Sequence, residues 1–428
     1  MLDSFLFSVN AALPVFLVIV AGMVLNRMGL FPESYASLTD KFVFRAALPV
    51  PSFTLPIGIS FFTFQKLSYT IDVYKGEVKA QRSFVNFLLY ISMFFQLIAG
   101  PIVRYSWVES EMAKRSVNVH EFSKGIKRFC FGLGKKVLLA NAAGVFVDKI
   151  MTVQNPAAEL TTGEAWIGVF MYSLQIYYDF SGYSDMAIGL GRMFGFHFPE
   201  NFKYPYAATT ITEFWRRWHI SLSSFFRDYV YIPLGGNRKH MLFNIFVVWA
   251  LTGLWHGASW NFVLWGLFYG VLLVLEKYFI LKPLSNAKKN IKRMFNKITA
   301  RIINACIFIV QKAIFIYITL MGWTLFYFQS TPRLLAYLGV LYGGGAEKST
   351  LNIGLMLENN LWWFIWAIVM TQPVLKITKY FALRAQRKCK ALIYTNDVVS
   401  SALSLLLLVI STIMLVGNSF NPFLYFNF

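Results

Sequence analysis

The stretch from Tyr178 to Gly270 decides how this chain folds. It reads YDFSGYSDMAIGLGRMFGFHFPENFKYPYAATTITEFWRRWHISLSSFFRDYVYIPLGGNRKH over residues 178–240 and, after a short apolar run, LTGLWHGASWNFVLWGLFYG over residues 251–270. Histidines, carboxylates and a dense set of Trp and Arg lie here between segments apolar enough to cross a bilayer. Because polar groups at membrane depth are costly unless they have a partner or a function, we expect the chemistry of the protein in this stretch.

Composition places the whole chain in a membrane. Of its 428 residues, 57% are hydrophobic and 14% are charged, and the mean hydropathy is +0.53. This is more apolar surface than one soluble core can bury. We therefore predict an all-α, polytopic membrane protein with about eight to ten transmembrane or re-entrant helices.

The net charge of +20 comes from Lys and Arg in short clusters between apolar runs. The strongest cluster spans Lys282–Arg301, and a second spans Lys376–Lys390. They flank one hairpin, formed by Ile302–Phe328 and Leu361–Ile377. Because basic loops stay on the cytoplasmic side of a membrane, both clusters are predicted to lie there. The same pattern predicts contact with membrane lipid and no nucleic-acid partner.

Two local patterns predict how helices lie. Residues Gly125–Phe146 alternate apolar side chains with Lys and Arg, which predicts a helix at the membrane interface that then dips inward. Gly189, Gly191 and Gly195 form GxGxxxG, whose spacing misses the dinucleotide fingerprint. These glycines therefore predict close helix packing.

The cysteines indicate neither a disulfide framework nor a metal site. Cys130, Cys306 and Cys389 are isolated, with no CxxC and no His at ligand spacing. The first apolar run, Ala11–Leu25, lacks a basic region before it and a clear small-residue cleavage site after it. It is predicted to remain in the protein.

His256 is the first candidate catalytic residue. It lies in LTGLWHGASW between two apolar segments, which predicts a helical hairpin with His256 near its turn. A low dielectric would keep the imidazole neutral, as a general base requires, and the neighbouring Gly253 and Gly257 would let a substrate approach. Trp255 and Asn261 are candidates for substrate contact. The alternative is a core histidine that is hydrogen-bonded to a backbone carbonyl.

His219 is the second candidate. In TEFWRRWHISLSSFFRD, Trp215, Trp218 and His219 share one face of a predicted helix. Charged side chains nearby offer hydrogen bonds to an anionic or polyhydroxyl ligand. The alternative is an interfacial helix anchored by Trp and Arg at the headgroups. The candidate substrate-binding residues here are Trp215, Arg216, Arg217, Arg227 and Asp228.

Three long motifs carry a family resemblance. Leu55–Tyr105, Gln175–Arg238 and Leu251–Gly270, together with the terminal NPFLYFNF, resemble the membrane-bound O-acyltransferase family and its bacterial alginate O-acetyltransferase branch. The resemblance runs from about residue 51 to residue 428 by these motifs. It implies that His256 is the essential histidine of the WHG motif and that His219 is a second, supporting histidine.

The N-terminus departs from this family. Residues 1–50 form an atypical segment, in which Leu13–Val50 resembles the start of an auxin efflux carrier-type transporter. Residues 51–428 are then the acyltransferase membrane domain. The family pattern predicts further N-terminal spans that would precede the LPIGISFFTFQ motif, so the core is predicted to have an atypical or truncated start.

The resemblance implies transfer of an acetyl group from a cytoplasmic thioester, such as acetyl-CoA, for O-acetylation of an exported polysaccharide such as alginate. It implies no bound cofactor, a multi-pass location in the bacterial inner membrane, and an acceptor polysaccharide or a periplasmic acyltransferase as partner. Three alternatives stay open: D-alanyl transfer to teichoic acid, an inactive truncated or fused relative, and a transporter. No second copy of the N-terminal pattern supports a transporter, although such proteins are built from repeats.

Overall fold

The computed structural model describes residues 59–96, 100–257, 259–349, 351–374, 378, 384, 391–416 and 423. This part of the chain is helical and contains no strand. Its first half consists of seven helices: α1 Ile59–Tyr74, α2 Phe84–Ser92, α3 Tyr105–Ala113, α4 Val119–Gly134, α5 Asn141–Met151, α6 Pro156–Glu159 and α7 Thr162–Met193.

The second half of the described chain begins with short helices and continues with longer ones. They are α8 Ile211–Trp215, α9 Ile220–Phe226, α10 Met241–His256, α11 Trp260–Leu275, α12 Leu281–Met294, α13 Lys297–Tyr327, α14 Thr331–Leu341, α15 Ile353–Asn359, α16 Leu361–Met370 and α17 Ala391–Val416. Widened π-type turns, which are frequent near functional sites, join α4 to α5, follow α9 and join α11 to α12.

Helix α7 is the centre of this part of the fold, since most of its residues are buried and it packs along α4 and α5. Pairs of glycines let α4 and α7 touch. A Cβ atom on Gly125 would lie 2.7 Å from the carbonyl oxygen of Gly189, and one on Gly132 would lie 2.6 Å from that of Gly182. The pairs follow opposite chain orders, so the two helices are antiparallel. The helix-packing prediction for Gly189 is confirmed.

The Lys and Arg pattern that predicts an interfacial helix lies on α4, on α5 and on the turn between them. They form one continuous run that is long and apolar enough to span a membrane. Three basic side chains of this run pair with carboxylates on α7: Arg128 and Lys135 each lie 2.5 Å from Asp185, and Lys136 lies 2.5 Å from Asp179. Because these charges have partners within the protein, this part of the run does not require headgroups to balance them.

Helices α10 and α11 form the predicted hairpin, with His256 at its turn. A Cβ atom on Gly253 would lie 2.4 Å from the carbonyl oxygen of Phe262, and one on Gly266 would lie 2.3 Å from that of Trp249. These glycines therefore allow two helix backbones to meet. The predicted role of Gly253, to let a substrate approach, is wrong because the backbone of α11 occupies that space.

The glycine contact in the hairpin predicts a stability effect. We expect Gly266→Ala to destabilise the protein by about 1–3 kcal/mol, because an added methyl group would overlap the Trp249 carbonyl oxygen. Gly339→Ala is the matched control, since nothing lies within 4 Å of a Cβ there. Thermal unfolding of the detergent-solubilised variants measures both effects, and equal unfolding temperatures for the two would contradict the prediction.

Four helical runs in the described chain are long and apolar enough to cross a membrane: Val119–Met151, Trp260–Met294, Lys297–Tyr327 and Asp397–Val416. The bent pair α15 and α16, at an angle of 75°, makes a fifth if it is one span. The prediction of a multi-pass helical membrane protein is confirmed. The predicted number of about eight to ten helices is larger than this, because it also counts shorter helices such as α10 and segments of the sequence that lie outside the described residues.

Several predictions concern residues that the structure does not describe. The transporter-like segment 1–50 lies outside the described residues, as do the proline-rich bend before residue 59 and all of the terminal NPFLYFNF except Phe423. Most of the second basic cluster, Lys376–Lys390, is also outside them. The division of the chain at residue 50 therefore stays a prediction.

Candidate active site

A cavity of about 670 Å³ lies where α7, α10, α11 and α13 meet the segment that carries α8 and α9. Both candidate histidines line it. So do six tryptophans contributed by different segments, two arginines and one carboxylate: Trp215, Trp218, Trp249, Trp255, Trp265, Trp323, Arg216, Arg227 and Asp179. A mostly apolar concavity with a few polar groups is typical of a small-molecule site.

His256 is the last residue of α10, and aromatic rings surround it. The ring centroid of His256 lies 4.7 Å from that of Trp255, 5.2 Å from Trp265 and 5.0 Å from Phe326. The side chain is partly exposed to the cavity and has no hydrogen-bond partner among the described residues. No described backbone carbonyl accepts a hydrogen bond from His256, so the structure gives no support for the alternative of a core histidine within the described residues.

The turn beside His256 depends on Gly257, which has φ +158°. A Cβ atom on Gly257 would lie 2.7 Å from the ring of Phe262. A side chain at this position would therefore push apart the turn that presents the imidazole.

The spacing of Trp215 and His219 predicts that both lie on one helix, and this prediction is wrong. Helix α8 ends at Trp215, and His219 has φ +43°, in the left-handed region, directly before α9 begins. A non-glycine residue in this region carries a conformational cost that the surrounding structure must offset. The break turns the imidazole inward, where the residue is 2% exposed.

Polar groups on one side of the ring hold His219. Its Nδ1 lies 3.2 Å from Oδ1 of Asn201 and 3.4 Å from Oγ of Ser221. Its Nε2 is buried and has no hydrogen-bond partner among the described residues. Burial lowers the pKa of His219 well below its usual range, and the nearby His256 lowers it further. The imidazole is therefore neutral at physiological pH.

A buried glutamate positions the segment that precedes His219. The carboxylate of Glu276, 5% exposed, accepts hydrogen bonds from the backbone N–H groups of Ile211 and Thr212, both at 2.7 Å. It thus binds the free N–H groups at the start of α8, where a negative charge is stabilised. This contact fixes the helix that carries Trp215 into the cavity.

The structure separates the predicted substrate-binding residues into two groups. Trp215, Arg216, Arg227 and Trp255 line the cavity, whereas Arg217, Asp228 and Asn261 do not. Each of the latter three has a partner elsewhere. Arg217 pairs with Glu213 at 2.5 Å, Asp228 with Arg104 at 2.8 Å, and the Asn261 amide donates to the carbonyl oxygen of Phe326 at 3.2 Å.

Asp228 is ionised in this arrangement. Burial raises the pKa of its carboxyl, but hydrogen bonds from Arg227 and Arg104 outweigh this effect and lower the pKa below its usual value. One arginine at the cavity, Arg227, therefore has its charge partly balanced. Among the described residues, Arg216 has no such ion pair.

Sequence reasoning missed contributors that are distant in the chain. Trp265 and Trp323 come from α11 and α13, and both sit in apolar runs that give no local signal. Glu276 had a usable signal, because it is a carboxylate at the end of a long apolar run. No cluster of three or more His, Cys, Asp or Glu side chains within the described ranges could hold a metal ion.

Comparison with known proteins supplies the family. The family model described as MBOAT, membrane-bound O-acyltransferase family, matches residues 77–321, more than half of the chain. The chain belongs to the membrane-bound O-acyltransferase family. The matched region contains both histidines and the segments that build most of the cavity. The resemblance predicted from the three sequence motifs is confirmed.

The names of similar proteins are consistent with this family assignment. The chain is 38% identical over 388 residues to the "Probable alginate O-acetylase AlgI" of Pseudomonas putida, covering 87% of this chain and 75% of that protein. It is 50% identical over 226 residues to the protein of the same name from Pseudomonas fluorescens, covering 52% and 45%. It is also 36% identical over 292 residues to the "Peptidoglycan O-acetyltransferase" of Helicobacter pylori, covering 60% and 55%. The last two matches span about half of each relative.

Proposed function

We propose that the protein transfers an acetyl group from a thioester donor to a hydroxyl group of an exported polysaccharide. The observation that carries the proposal is that His219 and His256 line the same cavity. Each has an imidazole nitrogen that forms no hydrogen bond with a described residue. In a family of O-acyltransferases, such nitrogens are suited to move the proton of an acceptor hydroxyl. The names of the relatives favour acetyl as the acyl group.

The proposed reaction needs one base and one electrophile. An imidazole nitrogen of His256 removes the proton from the acceptor hydroxyl as its oxygen attacks the thioester carbonyl carbon. The carbon–sulfur bond then breaks, and the thiolate leaves and receives the proton that His256 holds. His219 and the surrounding tryptophans position the substrates, which brings the reacting atoms together in a site with little water.

The donor is proposed to enter from the cytoplasmic side as acetyl-CoA or another acetyl thioester. Helix α12 supports this orientation, because it continues from α11 and most of its Lys and Arg side chains are exposed. The acceptor would lie toward the other side, as a polysaccharide such as alginate or a periplasmic acyltransferase that passes the group onward. The proposed location is therefore the bacterial inner membrane.

Arg216 is proposed to bind the negative charge of the donor. We expect Arg216→Gln to raise KM for acetyl-CoA about tenfold with little change in kcat, because a charge-assisted hydrogen bond to a phosphate is lost. Arg217→Gln is the comparison variant, since its side chain pairs with Glu213 and lies outside the cavity lining. Steady-state kinetics at varied acetyl-CoA concentration measures both, and an equal rise in KM would refute the assignment to Arg216.

The function is tested by acetyl transfer in membranes that contain this chain. Acetyl-CoA labelled in the acetyl group is supplied with alginate or another polysaccharide acceptor, and label recovered in alkali-labile esters is counted. Label above that of membranes lacking the chain supports the proposal. If only a D-alanyl group on a carrier protein is transferred, the teichoic acid alternative replaces it. If no acyl group is transferred, the alternatives are an inactive relative or a transporter.

A further inference from the structure

His219 lines the cavity, and its two ring nitrogens have different surroundings. Its Nδ1 faces Asn201 and Ser221, whereas its Nε2 is buried without a hydrogen-bond partner among the described residues. A neutral imidazole carries a proton on one nitrogen and a lone pair on the other. What His219 can do in the cavity therefore depends on which nitrogen holds the proton.

The groups around Asn201 fix the orientation of its amide. The backbone N–H of Ser221 lies 3.2 Å from one terminal atom of Asn201, and because an N–H can only donate, that atom is the oxygen. The hydroxyl of Ser221 donates to the same oxygen at 2.9 Å. On the other side, the Asn201 amide nitrogen donates to the hydroxyl of Ser184 at 3.2 Å. Both ends of the amide are thus consistent with a single orientation.

An amide oxygen accepts hydrogen bonds and does not donate them. The nitrogen of His219 that faces it must therefore carry the proton. We infer that Asn201 holds His219 as the Nδ1–H tautomer, so that its Nε2 lone pair accepts a hydrogen bond from a hydroxyl group of a polyhydroxyl acceptor, next to the hydroxyl that reacts at His256. Asn201 is thus a positioning residue. This inference rests on the proposed function and adds a specificity contact to it.

The network around Asn201 is built from separate parts of the chain. Asn201 is fully buried, and its backbone carbonyl accepts from the N–H of Ile220 at 2.9 Å. The hydroxyl of Ser221 accepts from the backbone N–H of Ile102 at 2.9 Å, and Ser184 belongs to α7. Three segments therefore stabilise the left-handed backbone of His219 and the ring orientation together, as positioning residues do at a preorganised site.

The first test reads the tautomer directly. The protein is labelled with ¹⁵N in histidine, and the His219 signals are identified as those missing from a His219→Gln variant. We expect a protonated Nδ1 and an unprotonated Nε2. The Nε2–H tautomer would overturn the inference. Because this measurement requires no acyl transfer, it can fail while the proposed function stands, or succeed where the proposed function fails.

The second test uses Asn201→Asp and Asn201→Leu. A carboxylate at residue 201 still accepts the Nδ1 proton, but its charge raises the pKa of His219. We therefore expect wild-type kcat/KM at high pH and a loss as the pH falls through the raised pKa, because the protonated ring has no Nε2 lone pair. Asn201→Leu removes the acceptor and is expected to lower kcat/KM about tenfold at every pH.

The remaining titratable groups at the cavity are the same in both variants: His256, Arg216, Arg227, Tyr183, Tyr231 and the pair of Asp179 with Lys136. A difference between the two pH profiles therefore reports the charge at residue 201. Asn304→Asp, a partly buried residue of α13 outside the cavity lining, controls for adding a carboxylate and is expected to keep the wild-type profile. If kcat/KM is lowered by the same factor at every pH in both Asn201→Asp and Asn201→Leu, Asn201 has only a structural role and the inference is overturned.

Discussion

A His256→Ala variant is expected to lose acetyl transfer by a factor of about 10²–10⁴ while remaining folded. The loss follows from removing the base that takes the acceptor proton. Folding is expected to persist because the imidazole makes no hydrogen bond to a described residue and faces the cavity, so its removal leaves no buried polar group without a partner. Labelled acetyl transfer in membranes, normalised to the amount of folded protein, measures the effect.

His120→Ala is the matched control for this prediction. His120 lies in the first turn of α4, is exposed, and does not line the cavity. Its replacement is expected to leave acetyl transfer unchanged. A His256→Ala variant that keeps half or more of the wild-type rate would remove His256 from the mechanism. His219, whose Nε2 has no hydrogen-bond partner among the described residues, would then be the first residue to test as the base.

A Lys136→Met variant is expected to lose about 3–5 kcal/mol of stability, because it leaves a buried carboxylate on α7 without its ion pair. The Lys136 and Asp179 side chains lie 2.5 Å apart and are 9% and 5% exposed. An uncompensated charge in such a site is far more costly than the pair itself. Thermal and denaturant unfolding in detergent measures the loss without reference to activity.

A double variant sharpens this prediction. Lys136→Met combined with Asp179→Leu removes both charges, and we expect it to recover most of the stability lost in the single variant. Lys124→Met is the control, because Lys124 and Glu121 form a solvent-exposed pair at 2.7 Å whose loss is expected to leave the stability almost unchanged. If the double variant is no more stable than Lys136→Met, the two side chains contribute separately and the buried-pair account is wrong.

The correct sequence predictions share one physical basis, which is that their signals are local. The α10–α11 hairpin with His256 at its turn follows from two apolar runs on either side of WHGAS, and helix packing at Gly189 follows from small residues at helical spacing. The predictions that failed depended on partners elsewhere in the chain. The helix predicted through Trp215 and His219 is broken at His219, whose ring is held by Asn201 and Ser221.

The candidate site divides in the same way. Local patterns brought out His219 and His256 and the aromatic and basic residues beside them. They did not distinguish Arg216, which lines the cavity, from Arg217, which pairs with Glu213. Nor did they indicate Asn201, because a single Asn in a polar segment belongs to no periodic pattern and to no recognised motif. Its position beside His219 comes from a contact across 18 residues and from segments near Ile102 and Ser184.

The sequence by itself determined that this is an all-helical, multi-pass protein of the acyltransferase family and that two histidines are its candidate chemical groups. Apolar length, basic clusters and contiguous motifs encode these properties along the chain. Only the tertiary structure decided that the two histidines share one cavity, that a left-handed residue breaks the helix at His219, and that no described residue forms a hydrogen bond with its Nε2. The physical reason is that side-chain pairing inside a membrane protein depends on which helices meet, and no local pattern of residues states that.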